Sequence, residues 1–505
     1  MMNILITGGS GFLGKHLVAA LLQDGHKITL IGKEGSKDAR INSVQCDLLD
    51  YDKIDDLRKA GALYKTDVVI HLAAIMPSKN DEKKDIVVQN ATITKNVFSL
   101  VNPACFIFAS SVDVYPRSEQ IVEENTILQP LSEYGLSKQK SEEECLRWSK
   151  NNPNSQLLIL RFSHLYGPAD TNRKMIDNLM RNALLGKKST ILGEGNDKRT
   201  YLYVEDAVRA IQLCLQSKES GIFNLGGSKA YSVEEVISTL EKNLKVPLVK
   251  ITLEKRTESS IVSSKKIADK IGFVPKVDLH DGLRKLIPKN IFFDMDGPIL
   301  DVKERYYKVY KQFIIKHKGI PLSLADYWDQ KRNKVSLENM LKLSKCEGVD
   351  ETVFKKHLSK YREEISNLKL DKLQPKTKEI LSHLSQNYNL YLITLRRNTE
   401  NLFRQLEELS ILTYFTKVLT LAPTSEDKWN HKVELLKEHH LDNQAGLILG
   451  DTSTEIMAAK NLGLTSIAVS NGIRTKEILL QAGPHLVIES IEEVCSLPFY
   501  SLEVN

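Results

Sequence analysis

Apolar and polar positions along the chain fall into two repeating blocks. Short β-type runs (MNILITGG, KITLIG, DVVIHLA, CFIFASS, QLLILRF) alternate with stretches of helical spacing, the rhythm of a doubly wound parallel sheet. The rhythm restarts at NIFFDMDG and returns in NLYLIT, AGLILGD and TSIAVS. From about Val302 to Leu373 it turns helical and strongly charged, which predicts an inserted all-α subdomain. Pro288-Lys289-Asn290 forms the seam, and without a Gly/Ser-rich spacer it predicts domains held close together. The expected organisation is therefore two α/β units, 1–288 and 289–505, with a helical cap at about 302–373.

Composition narrows the function classes. A chain of 505 residues allows about three folding units at ~150 residues each, and 42% hydrophobic with 27% charged residues is ordinary globular usage. No window approaches the ~18 apolar residues of a membrane span, and the opening MMNILITGGSGFLG has no basic leader. A cytoplasmic protein without a membrane partner is expected. Six cysteines without a CxxC pair predict neither a disulfide framework nor a zinc ribbon. A net charge of +6 without a basic block gives no nucleic-acid surface, whereas an anionic small substrate suits it.

TGGSGFLG places Gly8, Gly11 and Gly14 between a strand and the apolar helix KHLVAALL. Glycines there permit a tight turn and bring backbone N–H groups to a pyrophosphate at a helix N-terminus, although a glycine trio alone also fits a plain turn. Downstream, the YxxxK spacing of Tyr134 and Lys138 puts both side chains on one helix face. Lowering a phenol by ~3 pKa units requires roughly 4 kcal/mol, which a neighbouring ammonium and an oxidised nicotinamide are able to supply.

With TGGSGFLG, Asp47-Leu48, HLAA, ASSVDVYP, YGLSK, LRFSHLYGP, RTYLYVEDA and FNLGG in order, the region Met1 to Ile287 resembles the extended short-chain dehydrogenase/reductases, in particular their nucleotide-sugar epimerases and dehydratases. The resemblance implies a Rossmann-type fold, with Gly8, Gly11, Phe12, Leu13 and Gly14 on the dinucleotide. It implies Asp47 and Leu48 beside the adenine, and Leu72, Ala73 and Ala74 in the cofactor cleft. Tyr134 becomes the acid or base, Lys138 holds the ribose, and Ser111 bonds the reacting sugar oxygen. Arg199 falls where relatives bind the substrate diphosphate, or else forms a structural salt bridge. It also implies a homodimer through helices beside the Tyr–Lys pair. Lys33 stands where NAD users carry an acid and leans the choice towards NADP, while Glu34 keeps NAD open. Val112 replaces the acid that follows the catalytic Ser or Thr in 4,6-dehydratases, which favours epimerase or ketoreductase chemistry.

In FDMDG, Asp294 and Asp296 end an apolar strand on the same side, and Asp451 ends AGLILGD. Crowded carboxylates repel, so one protonates unless a cation is present. DMDGPILD, Thr394, a lysine in EDKWNHKVELL and GDTSTEIMAAKNLG resemble the haloacid dehalogenase-like phosphatases over Asn290 to Asn505. That resemblance implies a Rossmannoid domain with a helical cap, Asp294 as nucleophile and Asp296 as acid and base. Thr394 and Lys428, with Lys432 as fallback, would hold the phosphoryl group, and Mg²⁺ would be bound by Asp294, Asp296 (through its carbonyl) and Asp451. Pro298 and Glu455 depart from the usual Thr and Asp. Tyr306, Tyr307 and Tyr310 on the cap either pack or touch substrate.

Taken together, these readings imply a bifunctional enzyme that acts on a nucleotide sugar and on a small phosphorylated substrate. Two rivals are a single oxidoreductase with an inactive partner domain and an NADP-sensing module.

Overall fold

The computed structural model describes every residue except 37, 62, 64, 78–84, 172–173, 254–257, 347, 423–426 and 503–505. It divides into two compact units. One comprises Met1–Gly167, Thr190–Asn243 and Lys250–Arg284; the other comprises Pro168–Ser189, Leu244–Val249 and Lys285–Asn505.

The first unit is built on β1 (Asn3–Thr7), α1 (Phe12–Gln23), β2 (Lys27–Gly32), β3 (Ile41–Gln45), β4 (Val68–His71), β5 (Cys105–Ser111), α2 (Glu133–Asn151), β6 (Gln156–Phe162) and β7 (Gly221–Leu225). Its seven strands are parallel and ordered β7-β6-β5-β4-β1-β2-β3. Central β4 and β5 are buried throughout, because helices cover both faces of a parallel sheet and every side chain must be accommodated in the core. β3 lies at the edge and is correspondingly polar. The order reverses beside β1, which opens a crevice at the carboxyl ends of β1 and β4. A smaller sheet carries the strand Lys198–Tyr203 and hence Arg199.

The second unit contains β8 (Asn290–Phe293), α3 (Lys303–Lys316), α4 (Leu324–Arg332), α5 (Glu351–Tyr361), β9 (Asn389–Thr394), α6 (Thr399–Glu408), β10 (Lys417–Thr420), α7 (Lys428–Glu438), β11 (Gly446–Gly450), α8 (Ser453–Leu462), β12 (Thr465–Val469) and β13 (Leu486–Ile488). The parallel order is β10-β9-β8-β11-β12-β13. α3 to α5, with two shorter helices, form the expected helical insert, and its base is closed by a two-residue antiparallel pair, Leu300–Asp301 with Lys372–Leu373. Both units are thus α/β, and the C-terminal unit has an α-helical insert. Among the described residues no helix is long and apolar enough to cross a membrane.

Candidate active sites

In the N-terminal unit, register fixes the crevice. Thr7 pairs with His71 and His71 with Phe108, so the glycine turn, the Leu72–Ala74 segment and the end of β5 share one edge. Gly8 has φ +71°, and a Cβ there would lie 2.7 Å from the Ala73 amide nitrogen, so only glycine fits. At Gly14 a Cβ would lie 2.2 Å from the Gly8 carbonyl, which lets α1 start directly under the turn. Phe12 and Leu13 open α1, and Phe12 is buried. His71 is a hidden support. It is fully buried between the Thr7 and Thr94 hydroxyls at 2.6 and 3.1 Å, and burial first, then Lys138, pulls its pKa down to about 3. Sequence reasoning missed it because a histidine in HLAA carries no distinctive spacing.

Ser132 caps α2, accepting from Gly135 N–H at 3.0 Å, and so fixes the turn that carries Tyr134. A Cβ at Gly135 would lie 2.2 Å from the Asp113 carbonyl, so the glycine after Tyr134 lets α2 press against the residues following β5. Lys138 donates to the Ala109 carbonyl at 2.7 Å and lies 5.8 Å from the Tyr134 ring centroid, so the sequence-predicted pair does come together at β5. Burial lowers the Lys138 ammonium to about 8. Burial, then Asp113, raises the Tyr134 phenol, the opposite of the lowering expected from Lys138 alone. Ionisation at neutral pH therefore needs a further positive charge.

Ser111 is already engaged, since it caps the 112–114 turn by accepting from Asp113 N–H at 3.1 Å and its Oγ donates to Asp113 Oδ2 at 3.2 Å. Its neighbour Ser110 points the other way, to Glu142 at 2.5 Å, and Glu142 pairs with buried Arg161 at 2.6 Å. Lys33, the cation offered for an extra phosphate, is paired with Asp47 at 3.0 Å. Asp47 is thereby held below the usual carboxylate range: burial opposes the shift, and the Leu49 N–H and Lys33 outweigh it. Leu48 is buried beside it. Arg199 forms the structural alternative, a 2.9 Å bridge to buried Asp197, and stays partly exposed.

In the C-terminal unit, Phe293 is level with Leu449, so Asp294 and Asp451 leave adjacent strands side by side. Their approach demands two glycines. Gly297, at φ +110°, would place a Cβ 1.8 Å from Asp451 Oδ2, and Gly472 would place one at 2.2 Å. Glu455, which also serves the capping box of α8, joins them: one oxygen each of Asp294, Asp451 and Glu455 lies within 4.8 Å of the others. Asp451 Oδ2 accepts from Ile473 N–H at 2.5 Å, whereas its Oδ1 is buried without a hydrogen-bond partner. Burial, followed by the neighbouring acids, raises Asp451 well above the usual range. Hard oxygen donors, one of them orphaned, fit a divalent cation. Of the two candidate lysines, Lys432 is the one hydrogen-bonded to the acids: its Nζ is buried and donates to Asp294 and Glu455 at 2.6 Å each and to the Ile393 carbonyl at 3.1 Å. Lys428 lies one turn earlier, at the exposed first residue of α7. Thr394 ends β9 at the same edge and is buried.

Asp296 lies two residues beyond Asp294. Its carboxylate is outside the three-acid group and is clamped at 2.5 Å by both Arg305 and Arg396. Against the cost of burial, the two guanidinium groups hold it well below the usual carboxylate range. Asp371 pairs with Arg305 at 2.9 Å, and Gln405 bonds both Asp371 and Arg396 at 2.8 Å, closing a ring. Arg305 and Arg396 were missed; they lie 9 and 100 positions from Asp296, and no local spacing announces such partners. Tyr307 and Tyr310 are internally bonded, to Leu322 and Ser344, and Tyr310 stacks on Tyr327 at 4.3 Å. An open groove lined by Lys356, Lys360, Glu363, Arg397 and Asn401 shares no residue with the carboxylates.

Residues 4–226 match the model of the NAD dependent epimerase/dehydratase family, and residues 291–469 match that of haloacid dehalogenase-like hydrolases. An uncharacterised UDP-glucose epimerase of Bacillus subtilis is 31% identical over 266 residues, covering 48% of this chain and 81% of the relative. The N-terminal half belongs to the NAD dependent epimerase/dehydratase family. A putative UDP-glucose 4-epimerase of Methanocaldococcus jannaschii is 27% identical, covering 56% of this chain and 97% of itself. Among solved structures, UDP-glucuronic acid 4-epimerase from Bacillus cereus, in complex with UDP-glucuronic acid and NAD, has a TM-score of 0.51 at 29% identity, over 56% of this chain and 96% of that one. The epimerase-family domain is joined to a haloacid dehalogenase-like hydrolase domain.

Proposed function

We propose that the chain is a bifunctional enzyme, an NAD-dependent nucleotide-sugar epimerase joined to a Mg²⁺-dependent phosphatase. Bound in the crevice, the nicotinamide supplies a reversible hydride acceptor. Lys138 holds the ribose, Tyr134 Oη moves the sugar hydroxyl proton, and Ser111, reoriented from Asp113, bonds the same oxygen. The Lys33–Asp47 pair supports NAD over NADP, because the cation is neutralised within the chain. Buried Val112 stands where dehydratases carry the proton donor, which supports epimerisation over dehydration.

In the second unit Asp294 attacks phosphorus and the P–O bond to the leaving alcohol breaks while Lys432 and Thr394 orient the phosphoryl oxygens; water then cleaves the aspartyl phosphate, releasing phosphate and restoring the Asp294 carboxylate. A divalent cation held by Asp294 and Asp451, with Glu455 beside them, would offset the gathered negative charge. The observation that carries this half is the buried Asp294–Asp451–Glu455 group with one lysine between two of its acids and one orphaned oxygen. The test is phosphate release by purified protein with Mg²⁺ on a broad panel of phosphate esters, compared with Asp294→Asn; absence of release from every ester removes the phosphatase.

One observation favours a second reading, an inactive hydrolase domain: doubly clamped Asp296 has no proton for a leaving group. Absence of release even from p-nitrophenyl phosphate, whose leaving group needs no acid, would support it, whereas release from that ester overturns it.

A further inference from the structure

Lys432, Arg305 and Arg396 have carboxylate partners in the C-terminal site, but four cations bordering it have no ion-pair partner among the described residues: Lys331, Arg362, Lys428 and Arg474. Three cations surround one buried ring. Arg362 Cζ lies 4.2 Å, Arg305 Cζ 5.3 Å and Lys331 Nζ 5.6 Å from the Tyr306 centroid. Arg474 Nη1 donates to the Lys331 carbonyl at 2.7 Å, so α4 of the insert is tied to the residue following Ile473. Ile473 in turn donates to Asp451, and Arg305 clamps Asp296. The group therefore begins at one catalytic-edge acid and ends beside another. Arg362 Nε is buried without a hydrogen-bond partner. Burial, then Arg362, Arg474 and Lys428, pull the Lys331 ammonium well below its usual range.

Gathering like charges in a half-buried space is unfavourable unless an anion compensates them. The phosphoryl group to be cleaved already has Lys432 and the cation-binding acids. We propose that Lys331, Arg362 and Arg474, with Lys428 at the rim, form a second anion subsite, so that the hydrolase substrate carries a phosphate or carboxylate in addition to the phosphoryl group removed. This rests on the phosphatase reading above. Tyr306 supplies the floor of the subsite, which separates it from Tyr307 and Tyr310.

The test uses the full chain with Mg²⁺ and three probes: glucose 6-phosphate, glucose 1,6-bisphosphate and 6-phosphogluconate. We expect kcat/KM at least tenfold higher for one dianionic-site probe than for glucose 6-phosphate, with the ratio falling towards one in Lys331→Met and Arg362→Met. The bisphosphate and gluconate arms distinguish phosphate from carboxylate. Calorimetric binding to Asp294→Asn gives a reading without turnover. A tenfold tighter Kd for either doubly anionic probe supports the subsite even if no phosphate is released, in which case only the hydrolytic reading falls. Ratios within twofold of one in both measurements, or no binding of any probe, overturn it.

Discussion

The two candidate sites handle buried charge in opposite ways. The Tyr134–Lys138 site is spare: burial alone carries the lysine down to about 8 and heads the forces that lift the phenol, and among the described residues no acid forms an ion pair with Lys138. The Asp294 site is crowded, its acids pinned by Lys432, Arg305 and Arg396 at 2.5 to 2.6 Å. A site left electrically incomplete depends on its ligand to become reactive. A site whose acids are pinned by internal pairs depends on those pairs to stay folded.

The comparison gives a graded series of tests. The largest expected effect is Asp294→Asn, which removes the nucleophile and should lower phosphate release by about 10³-fold or more, read by a phosphate assay. Tyr134→Phe follows, with epimer formation measured by NMR expected to fall roughly 10²–10⁴-fold. Lys432→Met would strand two buried acids and cost about 3–5 kcal/mol in chemical denaturation, whereas Lys428→Met at the exposed helix start should change stability by about 0.5 kcal/mol or less. Equal losses in the two lysine variants would break the contrast. Gly472→Ala forces a methyl group against Asp451 and should cost about 1–3 kcal/mol, visible as a lower Tm.

The smallest effect is in pH. Lys138 titrates near 8 when folded and near ~10.4 when unfolded, so between those values the unfolded chain binds more protons. Its contribution makes stability rise with pH across that window. NAD affinity should move the other way, weakening several-fold as pH passes 8 and the ammonium facing the ribose is lost. Fluorescence titration of wild type and Lys138→Met would show it as a pH step absent from the variant.

Much of this was legible in sequence because it is local. Strand ends with small or acidic residues, the glycine turn and YxxxK each lie within about eight positions, and pairing of neighbouring strands did the rest. The sequence left Lys428 and Lys432 both open because they share a helix face, and it is Lys432 that bonds Asp294 in the fold. The clamp on Asp296 joins Arg305, Asp371 and Arg396 across more than 90 residues of chain, beyond any spacing rule. The lean towards NADP rested on Lys33 read by itself, and its partner Asp47 sits one strand away.

Asp296 also sits where the two ends of the helical insert come together. Arg305 lies just past where the helical insert departs and Asp371 just before it returns, and both meet at this one acid's ring of contacts. Neutralising this one acid would therefore free Arg305, the residue that also holds Asp371, so the attachment of the insert at both ends rests on a single charge.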